Sequence, residues 1–389
     1  MEPVRETLLA VLVASLVVVS ATPAASLPTD GADDRTWLAG DWHVHTNASH
    51  DACAAHNVPR LLSDPSDGCG DGPHTLSADG ATRMRQAEAR GLDYLRITDH
   101  NTLGGPLHAQ ANYEGPVTLV PGYEHSLPDA HAGVSSLNLL DRGIFEDPSE
   151  ASAIDPWIDA VQGEPGGHVT ANHPFSGGSS AWTEGHSDPA AWDAIEIWNI
   201  HWLWRDEVTN GFTDASNNEE TLDFWTHLLN QGHELPIVGA SDNHWLATTA
   251  VQGPGQPTTW VKATEDTPTA ILEAAREGRT YVTWDPVGPR VALTAEGPSG
   301  EAIVGDHVPT GEEITFRAEV TAGAGERIRF VSCNGLEHES PPGAPVAEVT
   351  LTFAEDCWMR VDLVTVDDLG GSGPDDLVYR AITSPVYVG

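Results

Sequence analysis

At 389 residues, 40% hydrophobic and 20% charged, the chain has a globular composition and room for one large domain plus a smaller one. Its 58 acidic residues against 18 basic ones give a net charge of -40, and their dispersal along the chain reads as a solvated acidic surface suited to high salt. Lys262 is the single lysine, and no basic stripe exists to neutralise phosphates, which excludes nucleic acid as a partner. The chain opens on an apolar run over residues 7–19 followed by small residues over 20–26. That run is short for a bilayer span and reads as a signal peptide over residues 1–26, cleaved on export to the exterior or the cell surface and leaving no stable membrane span. An uncleaved anchor is the alternative. Cys53 and Cys69 share one polar loop, and Cys333 and Cys357 share one C-terminal β region, so two local disulfides fit an exported chain. None of the four has C-x-x-C spacing, which argues against a thiolate metal site.

Residues 27–40 form a polar lead-in, and 41–46 read as a short strand. Residues 47–80 are irregular, rich in Gly, Pro, Asp and Ser. A helix is expected over 82–89, closed by Gly91. Strands follow over 92–98, 117–120, 136–140, 168–171 and 194–199, then a helix over 222–229 and a strand over 235–240. Residues 261–263, a helix over 268–277 and a strand over 278–283 close this region. Strands alternating with helices predict an α/β domain with a parallel sheet over 38–285. From 286 to 389 the segments 291–294, 314–320, 328–331, 347–353 and 358–364 alternate with period two between Gly/Pro turns, which predicts an all-β sandwich of immunoglobulin-like type.

Four short islands stand where the α/β strands end: His43-Val44-His45, Asp99-His100, Asn172-His173-Pro174 and Asp242-Asn243-His244. Imidazole and carboxylate are the usual ligands of Zn, Mn and Fe. Two such groups one residue apart share a face of a strand. The C-terminal ends of strands are also where a βα barrel keeps its chemistry, so the islands point to a metal-dependent hydrolase. Arg96, on the strand before Asp99, is a candidate phosphate contact or a buried partner for a carboxylate. Glu196 and Asn199 are candidates to line a substrate cleft or to make structural hydrogen bonds. Trp192, Trp198, Trp202, Trp204 and Trp225 are candidates for an apolar pocket or for core filling.

Taken together and in order, these motifs resemble the PHP (polymerase and histidinol phosphatase) superfamily. Asp41-Trp42-His43-Val44-His45-Thr46 with Ser49 and Asp51 is similar to its first motif, and Ile97-Thr98-Asp99-His100-Asn101 to its second. Gly122-Tyr123-Glu124 matches its glutamate motif, His173-Pro174 its later histidine motif, and Gly239-Ala240-Ser241-Asp242-Asn243-His244 its closing Asp-x-His. Residues 194–199 and 271–282 resemble the CehA/McbA branch. The resemblance covers residues 38–285 and implies a distorted (β/α)7 barrel with two or three divalent metals, Zn, Mn or Fe, at its mouth. It implies that His43 and His45 hold one metal, that Glu124 bridges to a second and that Asp242 closes the first. Asp51, His100, His131, His173 and His244 would complete the cluster. His50 competes with Asp51, and His125 and His168 compete with His131. The catalytic groups would be Asp99, His100 and His244, with Asp99 orienting the attacking water or supporting a ligand. The implied activity is an exported phosphoesterase acting on a small-molecule ester through metal-activated water. The alternatives are a carbamate or carboxyl-ester hydrolase on the same metals and a non-catalytic surface or binding protein.

Overall fold

The computed structural model describes residues 35–51, 78–148, 151–175, 180–183, 185–200, 202, 204–206, 211–213, 217–244, 253–321, 323, 325–366 and 377–389. The expected signal peptide and the expected Cys53–Cys69 pair lie outside these residues. No helix among the described residues is long and apolar enough to cross a membrane.

The first part of the fold runs β1 (Thr36–Val44), α1 (Gly80–Ala89), β2 (Tyr94–Ile97), α2 (Gly104–Asn112), β3 (Thr118–Leu127), β4 (Ala130–Ser135), α3 (Leu139–Arg142), α4 (Ile154–Gln162) and β5 (His168–Ala171). It continues with α5 (Ser180–Thr183), β6 (Ala194–Asn199), β7 (Trp204–Asp206), β8 (Gly211–Thr213), α6 (Asn218–Asn230), β9 (Ile237–Ala240), β10 (Thr258–Ala263), α7 (Pro268–Arg276) and β11 (Thr280–Thr283). Local chemistry sets the helix ends. Asp79 caps α1 by accepting from the Thr82 N–H at 2.7 Å, and the chain leaves through Gly91 at φ 73°. Thr267 caps α7 in the same way, with Pro268 at the first helical position. The fully buried strands β2, β5, β6 and β9 are short and largely apolar, as strands covered on both faces are.

In the sheet the order β1-β2-β3-β4-β5-β6-β9 carries the ligand-bearing ends. β1, β2 and β3 are parallel neighbours, as are β5, β6 and β9. β4 runs antiparallel to both β3 and β5. The two-residue turn Pro128-Asp129, with Asp129 left-handed at φ 57°, folds β3 back as a hairpin. The expected strand over 136–140 is therefore displaced to β4, which carries His131. β3 also extends past the expected 117–120 to include Glu124.

The expected distorted (β/α)7 barrel is not confirmed. The sheet does not close, because the open side of β1 is taken by β10, which pairs antiparallel with it from Thr36 to Gly40. β9 meets β1 only beyond that stretch, through a single parallel bridge between Val44 and Asn243. Two hydrogen bonds accompany it, from the Asp242 N–H to the His43 carbonyl (2.9 Å) and from the His45 N–H to the Asn243 carbonyl (3.1 Å).

The remainder is all β: β12 (Arg290–Gly297), β13 (Gly300–Ile303), β14 (His307–Val308), β15 (Ile314–Thr321), β16 (Arg327–Ser332), β17 (Gly335–Glu339), β18 (Val346–Leu351), β19 (Cys357–Val366), β20 (Leu377–Thr383) and β21 (Val386–Val388). β12, β13, β15 and β18 form one sheet. The others continue the large sheet, because β20 pairs with β11. Val291, Leu293, Phe316, Ile328, Phe330 and Val361 fill the space between the two sheets. A disulfide joins Cys333 to Cys357, as the sequence led us to expect.

Candidate metal centre

The strand ends deliver their polar residues to one buried cluster. His43 is on β1 and His45 just past it, after a register shift between Asp41 and Val44. Their Nε2 atoms face each other at 2.9 Å. Glu124, from the middle of β3, places Oε2 3.2 Å from His43 Nε2 and 3.3 Å from His45 Nε2. Asp242, following β9 with φ 46°, places Oδ1 3.5 and 3.1 Å from the same two nitrogens. A second group lies beside it: Asp51 Oδ2 is 3.1 Å from His100 Nε2 and 2.9 Å from His244 Nε2. A third surrounds the other oxygen of Glu124, with His131 Nδ1 at 3.3 Å and His173 Nε2 at 3.1 Å. His100 Nε2, 3.1 Å from Glu124 Oε2, joins the second group to Glu124. His173 (φ 26°) and Asp242 hold left-handed backbone that costs energy in a non-glycine residue. Strain of that kind concentrates at functional sites.

These residues fit divalent cations. Ligands about 2.0–2.1 Å from one tetrahedral ion lie roughly 3.3 Å apart, close to the separations of the His43 and His45 Nε2 atoms from each other, from Glu124 Oε2 and from Asp242 Oδ1. A proton shared between nitrogens explains one such contact but not four converging atoms. Asp242 Oδ1 and His131 Nδ1 are also buried without a hydrogen-bond partner among the described residues. The sets His43/His45/Glu124, His43/His173/Glu196, His45/Asp51/His100/His244 and His100/Glu124/His131 each bring ligand atoms within 4.8 Å of one another. The electrostatics agree. Burial alone would push the Glu124 carboxyl up, yet His43, His100 and His131 hold it well below the usual carboxylate range. Burial likewise opposes charge on His173 and His244, but neighbouring carboxylates, led by Glu124 and Asp242 respectively, raise each to about 9. The cluster is a nest of ionised carboxylates that calls for positive charge, as proton or as metal.

Surrounding groups aim the ligands. Glu196 Oε2 lies 3.3 Å from His43 Nδ1 and leaves Nε2 for the cluster. Asn199 donates to Glu196 Oε1 (2.9 Å) and Asp242 Oδ2 (3.3 Å). The Asp242 carbonyl takes His244 Nδ1 at 2.8 Å, and Ser126 Oγ lies 3.3 Å from His100 Nδ1. Three supports were given no role in the sequence reading. Ser49 touches His45, Asp51 and the His100 N–H. Asn172 donates to Glu124 Oε1 at 3.0 Å. Asp41, pushed up to about 6 by burial, accepts the N–H groups of Ser241 and Gly255. Ser49, Asn172 and Asp41 all stand among the quoted motif residues, so motif membership was the available signal.

Of the competing histidines, the structure brings in His131. His125 faces Asp147 (3.1 Å) and packs on Trp157, while His168 is buried against Trp42. Asp51 reaches the cluster, and the His50 ring stands beside it, 4.9 Å from that of His100. Asp99 is not brought to the cluster, contrary to the catalytic expectation. Its oxygens are taken by the Thr46 N–H and hydroxyl and the Gly105 N–H, which pins the loop after β1. Nor is Arg96 a substrate contact. It is fully buried, donating to Ser135, Thr170 and the Trp42 carbonyl. Glu196 and Asn199 sit behind the ligands at 1% and 2% exposure instead of lining a cleft. Trp192, Trp198, Trp202 and Trp225 are core; the Trp204 side chain lies outside the description.

No family model and no curated protein matches the chain. Among solved structures it is similar to a two-domain protein from Bacteroides vulgatus containing a predicted PHP-like metal-dependent phosphoesterase. The identity is 13% over 94% of this chain and 100% of that one, with a TM-score of 0.44. It is also similar to an amidohydrolase from Chromobacterium violaceum with bound sulfate and no metal, at 14% identity over 61% and 95% of the two chains and a TM-score of 0.33.

Proposed function

We propose that the chain is a metal-dependent hydrolase of the PHP superfamily, acting as a phosphoesterase, with residues 38–285 carrying the chemistry. The observation behind this reading is the approach of Glu124 Oε2 and Asp242 Oδ1 to the same two nitrogens, His43 Nε2 and His45 Nε2, which are 2.9 Å apart. The motif resemblance supports it. His43, His45, Glu124 and Asp242 would hold one ion, Asp51, His100 and His244 a second, and His131 and His173 would complete the environment of Glu124. Bound divalent ions would supply Lewis acidity to the ester and make water acidic enough to attack near neutral pH. The chain's own part is positional. Glu196, Ser126 and the Asp242 carbonyl hold the imidazoles in the orientation that turns Nε2 inward, and Glu124 ties the groups together.

One observation favours the second reading, hydrolysis of a carbamate or carboxyl ester. Phosphate is usually gripped by arginine, yet Arg83 and Arg96 are fully buried and donate to carbonyls and side-chain oxygens within the fold. Metal analysis alongside turnover of p-nitrophenyl phosphate, bis-p-nitrophenyl phosphate and 1-naphthyl N-methylcarbamate separates the readings. Stoichiometric metal with phosphoester turnover is expected. Turnover of the carbamate alone moves the assignment to the second reading. Metal without turnover of any ester overturns the enzyme reading and leaves a binding protein. We further propose export with cleavage of residues 1–26, which N-terminal sequencing of protein from its native host checks.

A further inference from the structure

α1 buries Gly80, Ala81, Arg83, Met84 and Ala87, so a guanidinium occupies a core-facing helical position. Arg83 is 0% exposed, and a charge in that position is costly unless its donors are used. They are used on backbone that belongs to the metal centre. Arg83 Nε donates to the His45 carbonyl at 2.7 Å, and Nη2 donates to the Asn243 carbonyl at 3.0 Å. Nη1 donates to Gln86 Oε1 at 3.0 Å, one helical turn along, which braces the fork from its own helix. The charge itself is supported from nearby: burial pulls the guanidinium down to about 10, against Asp99 and Asp41.

The two carbonyls sit on opposite sides of the seam in the sheet. One belongs to the end of β1, which carries His43 and His45. The other belongs to the segment after β9, which carries Asp242 and His244. Among the described residues the backbone joins them by one bridge and two hydrogen bonds, and Asp41 of β1 adds one side-chain bond from the Ser241 N–H (3.1 Å), because β10 occupies the side of β1 where further pairing would run. We infer that Arg83 is a positioning residue for the metal centre, a clamp across this seam that fixes the two ligand-bearing segments against each other. The inference rests on the metal reading above. Only a planar fork spans both carbonyls at once; a lysine ammonium has the charge but not the geometry.

Groups that orient metal ligands are typically worth about 10–100-fold in metal affinity, and a seam that loosens displaces several ligands together. The test uses the full chain stripped with a chelator and titrated with Zn²⁺ or Mn²⁺ against a competing fluorescent chelator, with thermal unfolding followed in parallel. Arg83→Met keeps much of the volume and loses the donors; Arg83→Lys keeps the charge. Phe316→Leu, in the all-β core, is the control for lost stability. Arg83→Met is expected to bind metal roughly 10–100-fold more weakly, with Arg83→Lys between it and wild type, and Phe316→Leu is expected to lower Tm with affinity unchanged. Affinity in Arg83→Met within about twofold of wild type overturns the inference. So does an equal loss in Phe316→Leu at matched Tm, which would make the effect general destabilisation. Should Arg83→Met fail to fold, Arg83→Lys decides: a loss of about threefold or more supports the clamp, and none overturns it. Wild type that takes up no ion overturns the metal reading itself.

Discussion

Ser49 has one hydroxyl hydrogen and two lone pairs, and the cluster uses all three. Asp51 Oδ1, 2.8 Å away, can only accept, so the hydrogen points there. The lone pairs then take the His100 N–H (3.2 Å) and His45 Nδ1–H (3.0 Å). That pattern assigns His45 the tautomer whose Nε2 is free to bind a cation. One buried hydroxyl thus orients His45 in the first group and Asp51 in the second. Ser49→Ala is expected to weaken metal binding about 10–100-fold with little change in fold. Competition titration checks this, and affinity within about twofold of wild type would sink the idea. At this scale the sequence was legible wherever residue type alone implied a role. His43, His45, His100, His173, Asp242 and His244 all arrive at the cluster. It was not legible where role depends on direction: Asp99 is next to His100 in sequence, yet its carboxylate turns to Thr46 and Gly105.

Among the elements, the short buried strands, the capped helices α1 and α7, and α6 follow from local pattern. The helices α2 and α4 were not expected. α2 begins Gly-Gly-Pro, which reads as a breaker, and no side chain caps it. The β3–β4 hairpin hid behind a continuous polar and apolar mixture. Its consequence for the site is direct, since it sets Glu124 and His131 on neighbouring strands. At the other end of the molecule, the Cys333–Cys357 disulfide closes a loop with a sequence separation of 24 and ties the β16–β17 hairpin to the start of β19. Chain-entropy reasoning puts its contribution at about 3 kcal/mol. Cys333→Ser with Cys357→Ser is expected to lower Tm while leaving metal content intact. A Tm equal to wild type would show that the bridge constrains nothing, and lost metal would show that the all-β part supports the centre directly.

For the molecule as a whole, the large sheet runs without a break from the metal centre into the all-β part, through the pairing of β11 with β20. The chain carries a net charge of -40, and self-repulsion of that size opposes compaction at low ionic strength. Raising NaCl from about 0.1 M to about 1 M shortens the screening length from roughly 10 Å to roughly 3 Å, so Tm is expected to rise over that range. Thermal scans at fixed pH test this, and a Tm that is flat or falls with salt contradicts it. Length, composition and the order of motifs by themselves determined the α/β-then-β layout, the residue types that gather at the strand ends and the local Cys333–Cys357 pairing, because each depends on residue chemistry and short-range spacing. Only the tertiary structure decided that β10 blocks closure of the sheet, that His131 is chosen over His125 and His168, that Arg96 and Glu196 are buried supports, and that Arg83 crosses the seam. Those outcomes depend on which long-range strand pairings form and which way each side chain then faces, and no local pattern encodes either.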